Sequence, residues 1–436
     1  MPEPTGAPSH LSLGDLHAAL SDPLLDTMNF LNEITARFPG AVSFAPGRPY
    51  EEPVDAGTIA RYLEVYGTYL RRERGQSAAQ VSGLLFQYGR TNGQIHELVA
   101  ATVANDEGIR VPAGAVVVTV GAQEGMLLVL RALFRDPRDV LLVSSPCYVG
   151  ITGAARLLDI AVEPVPEGPD GACPAALREA ARRVRAGGRR PRAFYVVPDF
   201  ANPSGTSMPA AARAELLGVA AAEDLLVLED NPYGLFARDA VPPPTLKRLD
   251  RDRRVVYLGT FAKTCFPGAR VGYVLADQPV AVPGGTTLLA DQLSKIKSMT
   301  TVNTSPLAQA VIGGMLLACG CRLRAASGER VARYRSQLTA LLDALAEHFP
   351  PARRDREGIA WNAPAGGFFL VLRVPFVADE AALARSAAEH GVLWTPMRYF
   401  HLDGGGKNQL RLSCSYLDPA RIRDGVRRLS DFVAAG

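Results

Sequence analysis

The chain has little that would mark it for an unusual environment. Its six cysteines in 436 residues, Cys147, Cys173, Cys265, Cys319, Cys321 and Cys414, form no CxxC pair. Neither a zinc ribbon nor a disulfide framework is written into that spacing, and reduced structural thiols are expected. No uninterrupted apolar run is long enough to span a bilayer, and the opening MPEPTGAPSHLSLGDLHAAL lacks a basic stretch leading into an apolar one. A cytoplasmic location is expected. An excess of one charge is missing too: 47 basic against 44 acidic residues leave a net +3. That balance argues against nucleic acid or an anionic membrane as partner and leaves a small anionic ligand open. There are no internal repeats.

What is present is apolar material in quantity. Hydrophobic residues make up 47% and charged residues 21% of the chain, enough for a large core and, at this length, for more than one lobe. Residues 1–13 read as a loose arm, and DLHAALSDPLLDTMNFLNEITARF has the spacing of one or two amphipathic helices. From about Val111, short runs rich in Val, Ile and Leu (VVVTV at 116–120, VLLVSS at 140–145, AFYVVPD at 193–199, LLVLED at 225–230, RVVYLGT at 254–260) alternate with helical stretches such as GMLLVLRALF and AAARAELLGVAAAED. That alternation predicts a parallel sheet with crossover helices. The C-terminal part, with LAQAVIGGMLLACG, VARYRSQLTALLDALAEHF, GGFFLVLRV and a strand ending RLSCSY, predicts a smaller α+β lobe joined by the N-terminal segment. VRAGGRRPR at 184–192 reads as a solvated turn with its charges facing water.

Each hydrophobic run ends in small or polar residues, and in open α/β sheets ligands bind at the carboxyl ends of the strands. Five unusual clusters therefore converge on one rim. In GTFAKTCFPGARVGY, Lys263 stands among Thr260, Phe261, Ala262, Thr264, Cys265 and Phe266, a setting that favours a partly desolvated amine. Desolvation lowers a lysine's pKa and leaves more of the free amine that attacks a carbonyl to form a Schiff base. Taken alone, the residue reads equally well as a lysine snorkelling from a strand end. Asp230 follows a buried strand, a costly place for a carboxylate unless a cation meets it, though EDNP also suits a helix cap. Gly121, Ala122 and Gln123 open a helix after a strand, so their N–H groups can meet a phosphate. Thr260 and Arg270 offer it a hydroxyl and a fixed cation. Arg411, between apolar residues in LRLSC, is a guanidinium that would be costly without a partner.

The ordered set GAQEGM, SSPCYVG, PDFANPSG, EDNPYG, GTFAKTCFPGARVGY and NQLRLS resembles the class I/II aminotransferases, pyridoxal-phosphate enzymes of fold type I, from roughly Phe86 to Tyr416. The resemblance implies an α/β fold: a large domain (61–310) with a mostly parallel central sheet, a small α+β domain (311–436), and an N-terminal arm and helices (1–60) contributing to the small domain. It implies pyridoxal 5'-phosphate as cofactor, held covalently by Lys263. Asp230 would pair with the pyridine nitrogen, Asn202 and Tyr233 with the phenolic oxygen, and Tyr148 would stack on the ring. Gly121, Ala122, Gln123, Thr260 and Arg270 would take the phosphate, and Arg411 the substrate carboxylate. Tyr88 in QYGRTNG would reach the phosphate of a neighbouring subunit, which implies a symmetric homodimer. Turn, core or surface roles remain open for several of these, notably Asn202, Tyr233 and Tyr148.

The sequence also departs from the family. Ala262 stands where a serine is frequent, which transfers a hydroxyl's role to Thr260 or water. Arg398, Tyr399 and His401 in TPMRYFHLDGGG, and Arg48 in FAPGRPY, bring charge and bulk to loops expected near the substrate, or else are surface residues. With LSDPLLDTMNFLNEITARFPGAVSFAPGRPY included, the likeness is closest to arylglycine transaminases of peptide-antibiotic pathways, which predicts a hydroxyphenylglycine or dihydroxyphenylglycine as substrate. Phe44, Tyr50 and Tyr399 would then supply an apolar wall for the aryl ring, and Arg398 or His401 would meet a phenolic hydroxyl. Two other readings stay open. One is a specialised pyridoxal-phosphate enzyme performing cyclisation, replacement or oxidation on an amino acid. The other is a non-enzymatic effector-binding module, for which a preceding helix-turn-helix domain would be needed and little room is expected.

Overall fold

The computed structural model of the chain describes residues 10–51, 55–238 and 242–435; residues 1–9 of the expected arm lie outside them. The five Val/Ile/Leu-rich runs form strands of one eight-stranded sheet. Its spatial order is Val116–Thr119, Gly272–Leu275, Val255–Thr260, Leu226–Asp230, Arg190–Val196, Asp139–Ser145, Ala161–Gly168 and Gly171–Ala172. From Val255–Thr260 to Ala161–Gly168 every pairing is parallel. Asp139–Ser145, Leu226–Asp230 and Val255–Thr260 are buried, largely hydrophobic runs because helices cover both faces, as a parallel sheet requires, whereas Ala161–Gly168 (AVEPVPEG), toward the sheet edge, is mostly half-buried. Gly272–Leu275 runs antiparallel to both neighbours. It returns from the lysine-bearing loop, so Val116–Thr119 and Val255–Thr260 point the same way and their carboxyl ends share a rim.

The small lobe is built on an antiparallel four-stranded sheet, ordered Ala360–Trp361, Phe369–Arg373, Gln409–Ser413, Thr395–Pro396. The helices Gly328–His348 and Pro419–Ala434 pack against each other beside it. Pro419–Ala434 starts where its sequence dictates: Pro419 occupies the first turn and the Asp418 carboxylate accepts from the N–H groups of Ala420 and Arg421. Pro23–Arg37 begins the same way, with Asp22 accepting from Leu24 N–H. The N-terminal segment joins this lobe through Val42–Ser43, parallel to Val392–Leu393. Trp394 is fully buried in its core with Nε1 donating to Ser386 Oγ at 3.0 Å, so its polar edge is satisfied while its rings stabilise by burial.

The helix Pro306–Ala318 spans the 310/311 boundary and packs in the core beneath the large sheet against Ala56–Arg72. In VRAGGRRPR, Arg185, Arg189 and Arg190 are exposed, as expected, while Arg190 also pairs with the buried Asp139 and Arg185 with Glu223, because buried carboxylates draw in cations.

Candidate active site

A cavity of about 520 Å³ opens between the carboxyl ends of the large sheet and the small lobe. Five strand ends feed it: Ala122 and Gln123 after Val116–Thr119, Tyr148 after Asp139–Ser145, Asn202 after Arg190–Val196, Asp230 and Tyr233 at Leu226–Asp230, Thr260 and Lys263 after Val255–Thr260. Arg270 and Arg411 line it as well, and Ala45 to Arg48 form a further wall.

Lys263 Nζ donates to the carbonyl oxygen of Gly47 at 2.8 Å. Burial, helped by the Arg411 and Arg270 guanidiniums and opposed by Asp230, pushes its pKa down to about 8. A desolvated amine poised near neutrality is what a carbonyl-binding lysine requires. The chain reaches this point because Gly47 packs where a Cβ would stand 2.4 Å from the Phe369 ring. No other residue lets the Ala45–Arg48 backbone pass so close. Asp230 is 4% exposed. Burial pushes its carboxyl up to about 6, against the lowering effects of the Tyr195 hydroxyl and Lys263. Its Oδ2 accepts from Tyr195 Oη at 2.6 Å, while its Oδ1 is buried without a partner among the described residues.

Arg411 is 3% exposed and, among the described residues, donates only to neutral acceptors: Asn202 Oδ1 at 2.7 Å, the Ala45 carbonyl at 2.6 Å and Thr395 Oγ1 at 3.3 Å. Burial pushes the guanidinium down to about 10. A buried cation surrounded by dipoles is set to receive an anion. At the other end, Gly121 has φ +73°, and a Cβ there would lie 2.6 Å from Arg270 Nη2. The guanidinium thus sits directly on the start of the helix Gly121–Leu133, where free N–H groups and the helix dipole favour a dianion. Thr260 Oγ1 accepts from the N–H of Ala262 at 3.1 Å and lines the cavity beside them. Burial pushes the Tyr148 hydroxyl up to about 12 and raises that of Tyr233 further.

The structure does not bring every expected residue here. Arg398, Tyr399 and His401 line a separate cavity of about 690 Å³ against the helix Pro23–Arg37. The turn Met397–Phe400 directs Met397 and Phe400 inward onto Val149, with Tyr399 packed partly buried against the same cluster; Tyr399 Oη donates to Glu380 Oε1 at 2.8 Å. None of the three lines the cavity that holds Lys263. Phe44 is fully buried in the small lobe against Gly425, and Tyr50 packs under the Arg333 guanidinium at 4.4 Å; neither walls the cavity. Arg48 does line it, with its guanidinium 4.2 Å over the Tyr416 ring and 3.4 Å from Glu51. Tyr88 lies outside, 85% exposed. Residues that sequence reasoning missed are Tyr195, the Ala45 and Gly47 carbonyls, and Thr35 with Ala36, which reach the cavity from the N-terminal helix. Only the glycine in APGRP hinted at a close backbone approach.

An anion cradle, a desolvated lysine and, deeper in, a carboxylate oxygen with nothing to bond match in turn the phosphate, the aldehyde and the protonated ring nitrogen of pyridoxal 5'-phosphate. The fold that carries them is that of the fold type I pyridoxal-phosphate transferases. The chain belongs to the class I and II aminotransferase family, whose profile matches residues 71–429. It is 50% identical over 430 residues to the (S)-3,5-dihydroxyphenylglycine transaminase of Amycolatopsis orientalis, covering 99% of this chain and 96% of that protein. It is 33% identical over 411 residues to the 2-aminoadipate transaminase of Thermus thermophilus, covering 92% of each. The solved structure of the Thermus thermophilus α-aminoadipate aminotransferase with N-(5'-phosphopyridoxyl)-L-leucine superimposes with a TM-score of 0.78 at 29% identity, over 98% of this chain and 99% of that one. The protein is a pyridoxal-phosphate-dependent aminotransferase, and the resemblance in its motifs identified the family correctly.

Proposed function

We propose that the enzyme interconverts an arylglycine, such as (S)-3,5-dihydroxyphenylglycine or 4-hydroxyphenylglycine, and its arylglyoxylate. It acts in the cytoplasm, in the biosynthesis of a natural product such as a peptide antibiotic. The observation that carries this reading is the 50% identity, along 99% of the chain, to a transaminase of (S)-3,5-dihydroxyphenylglycine. The chemistry agrees. The α-hydrogen of an arylglycine is benzylic, so the aryl ring shares the negative charge that develops when it leaves.

The cofactor, when bound, supplies an electron sink for the substrate's α-carbon. Lys263 would hold it and, with its pKa lowered to about 8, keeps an appreciable uncharged fraction of amine near neutral pH that can take the α-proton onto Nζ. Asp230 Oδ1 would pair with the ring nitrogen and favour its protonated form, and Asn202 and Tyr233 would donate toward the phenolic oxygen. Tyr148 would stack on the ring. Gly121, Ala122 and Gln123 with Thr260 and Arg270 would bind the phosphate, joined by Tyr88 of a second subunit in a symmetric homodimer. Arg411 forks onto the substrate carboxylate, which orients the α-hydrogen and favours transamination over loss of that carboxylate. Arg48 borders the substrate's outer end. The large domain runs from residue 61 through the helix Pro306–Ala318, and the small domain follows, completed by residues 1–60.

Incubating the holoenzyme with either hydroxylated phenylglycine should change the cofactor's absorption and release the matching arylglyoxylate. If neither compound does so, while an unrelated amino acid is consumed without yielding its 2-oxo acid, the reaction is not transamination.

A further inference from the structure

The deepest carboxylate of the site divides its two oxygens unequally. Among the described residues, Asp230 Oδ2 accepts one hydrogen bond, from Tyr195 Oη at 2.6 Å, and Oδ1 accepts none. Tyr195 lies on Arg190–Val196, the strand that pairs in parallel with Leu226–Asp230, and is 1% exposed. Its ring is part of the apolar core between sheet and helices, a task phenylalanine would perform equally well. Its hydroxyl has one hydrogen-bond partner among the described residues, and that partner is Asp230.

We propose that Tyr195 is a positioning residue for the reaction: its hydroxyl pins Oδ2 so that Oδ1 is presented, in ionised form, to the cofactor's ring nitrogen. The inference rests on the role given to Asp230 above. A carboxylate on a single Cβ rotates broadly about its terminal torsion, and a buried one with a single donor is held only as well as that donor holds it. A short O–H···O⁻ bond is the strong, charge-assisted kind. The donor is dependable, because burial and the neighbouring carboxylate raise the Tyr195 pKa far above its usual value and keep its proton in place at every working pH. The other titratable groups facing Asp230 are Lys263, Tyr148, Tyr233 and the Cys147 thiol. Among these only Lys263 also favours the ionised carboxylate, and it does so through space.

Tyr195→Phe removes the hydroxyl and leaves the ring. A hydrogen bond to a charged group is worth roughly tenfold or more in an equilibrium constant, so the apoenzyme should bind pyridoxal phosphate about tenfold more weakly. The holoenzyme's kcat should fall by about the same factor, with KM for the amino acid within about twofold because Arg411 is untouched. The acid limb of the kcat profile that reports Asp230 should move to higher pH, since the lost donor favoured the ionised form. In an Asp230→Asn background the same change should alter cofactor affinity by less than about twofold. Parental affinity and kcat in Tyr195→Phe would overturn the proposal. So would a full-sized affinity loss that persists in the Asp230→Asn background, which would mark a packing role. A parental kcat in Asp230→Asn alone would instead remove the role given to Asp230.

Discussion

Arg411 and Asp230 are the two groups whose burial is hardest to understand without ligands, and both lead to measurements. Arg411 has its guanidinium surrounded by a carbonyl, an amide oxygen and a hydroxyl. A lysine there keeps the charge and loses the planar fork, so Arg411→Lys should raise KM for the amino acid about tenfold or more. Amines without a carboxylate should show no change; unaltered amino acid binding would mean that another cation, with Arg48 the first candidate, holds the carboxylate. Asp230 makes a prediction about pH. Its folded pKa of about 6 lies above the ordinary 3.8, so the folded chain holds the proton more tightly than the unfolded one. The stability this contributes is complete below about pH 4 and is lost as pH rises through about 6. Lys263 has the opposite sign, with a folded pKa of about 8 below the ordinary 10.5, but both proteins in the comparison retain it. Asp230→Asn, neutral throughout, should match the parent near pH 4 and exceed it above pH 6 by up to about 3 kcal/mol in the cofactor-free protein. Denaturant titrations across that range check it, and a constant difference at all pH values would contradict the cause given for the shift.

At the scale of elements, the site is the consequence of parallel strands ending together. The runs at 116–120, 140–145, 193–199, 225–230 and 254–260 were legible because fully buried strands are written as uninterrupted Val/Ile/Leu segments. The strand Gly272–Leu275 was not. VGYVL follows the arginine of the cradle without a turn signal, and its antiparallel place depends on the long-range pairing with Val116–Thr119. The turn Met397–Phe400 was not legible for a related reason: a 3₁₀ turn decides which side chains face in, and no apolar period announces one. The element with the sharpest test is the helix start at Gly121, which combines φ +73° with contact to Arg270. Gly121→Ala should cost about 1 kcal/mol in backbone strain and displace the guanidinium. Affinity for pyridoxal phosphate should fall about tenfold while the affinity for pyridoxal, which lacks the phosphate, barely moves. Equal losses for both would show that the cradle does not read the phosphate.

For the whole molecule, the question is what completes the site. Tyr88 is 85% exposed and lines no part of the cavity whose phosphate cradle it should join, which is the arrangement expected if its ring serves a second copy. Tyr88→Ala should weaken cofactor binding, and Lys263→Ala should abolish turnover. If the enzyme is the proposed symmetric homodimer, a mixture of the two variants, unfolded and refolded together at limiting cofactor, should recover roughly a quarter of parental sites, because half of the dimers would be hybrids and each hybrid would rebuild one complete site. Recovery no greater than the sum of the separate variants would place Tyr88 outside the site.

The sequence by itself determined the order of the motifs, the hydrophobic runs of the sheet, the family and its cofactor, and the positions of Lys263, Asp230 and Arg411. These are local facts: burial is written into a run of apolar residues, and a charged residue at its end stands out against it. Only the tertiary structure decided which groups those charges meet. The Gly47 carbonyl on Lys263, the Tyr195 hydroxyl on Asp230 and the Ala45 carbonyl on Arg411 come from segments up to 366 residues away. Tyr399 and His401 likewise face a different cavity from the one their neighbours in sequence suggested. Such meetings depend on how two lobes and several strands pack in space, and packing between distant segments leaves no period in the chain from which it could be read.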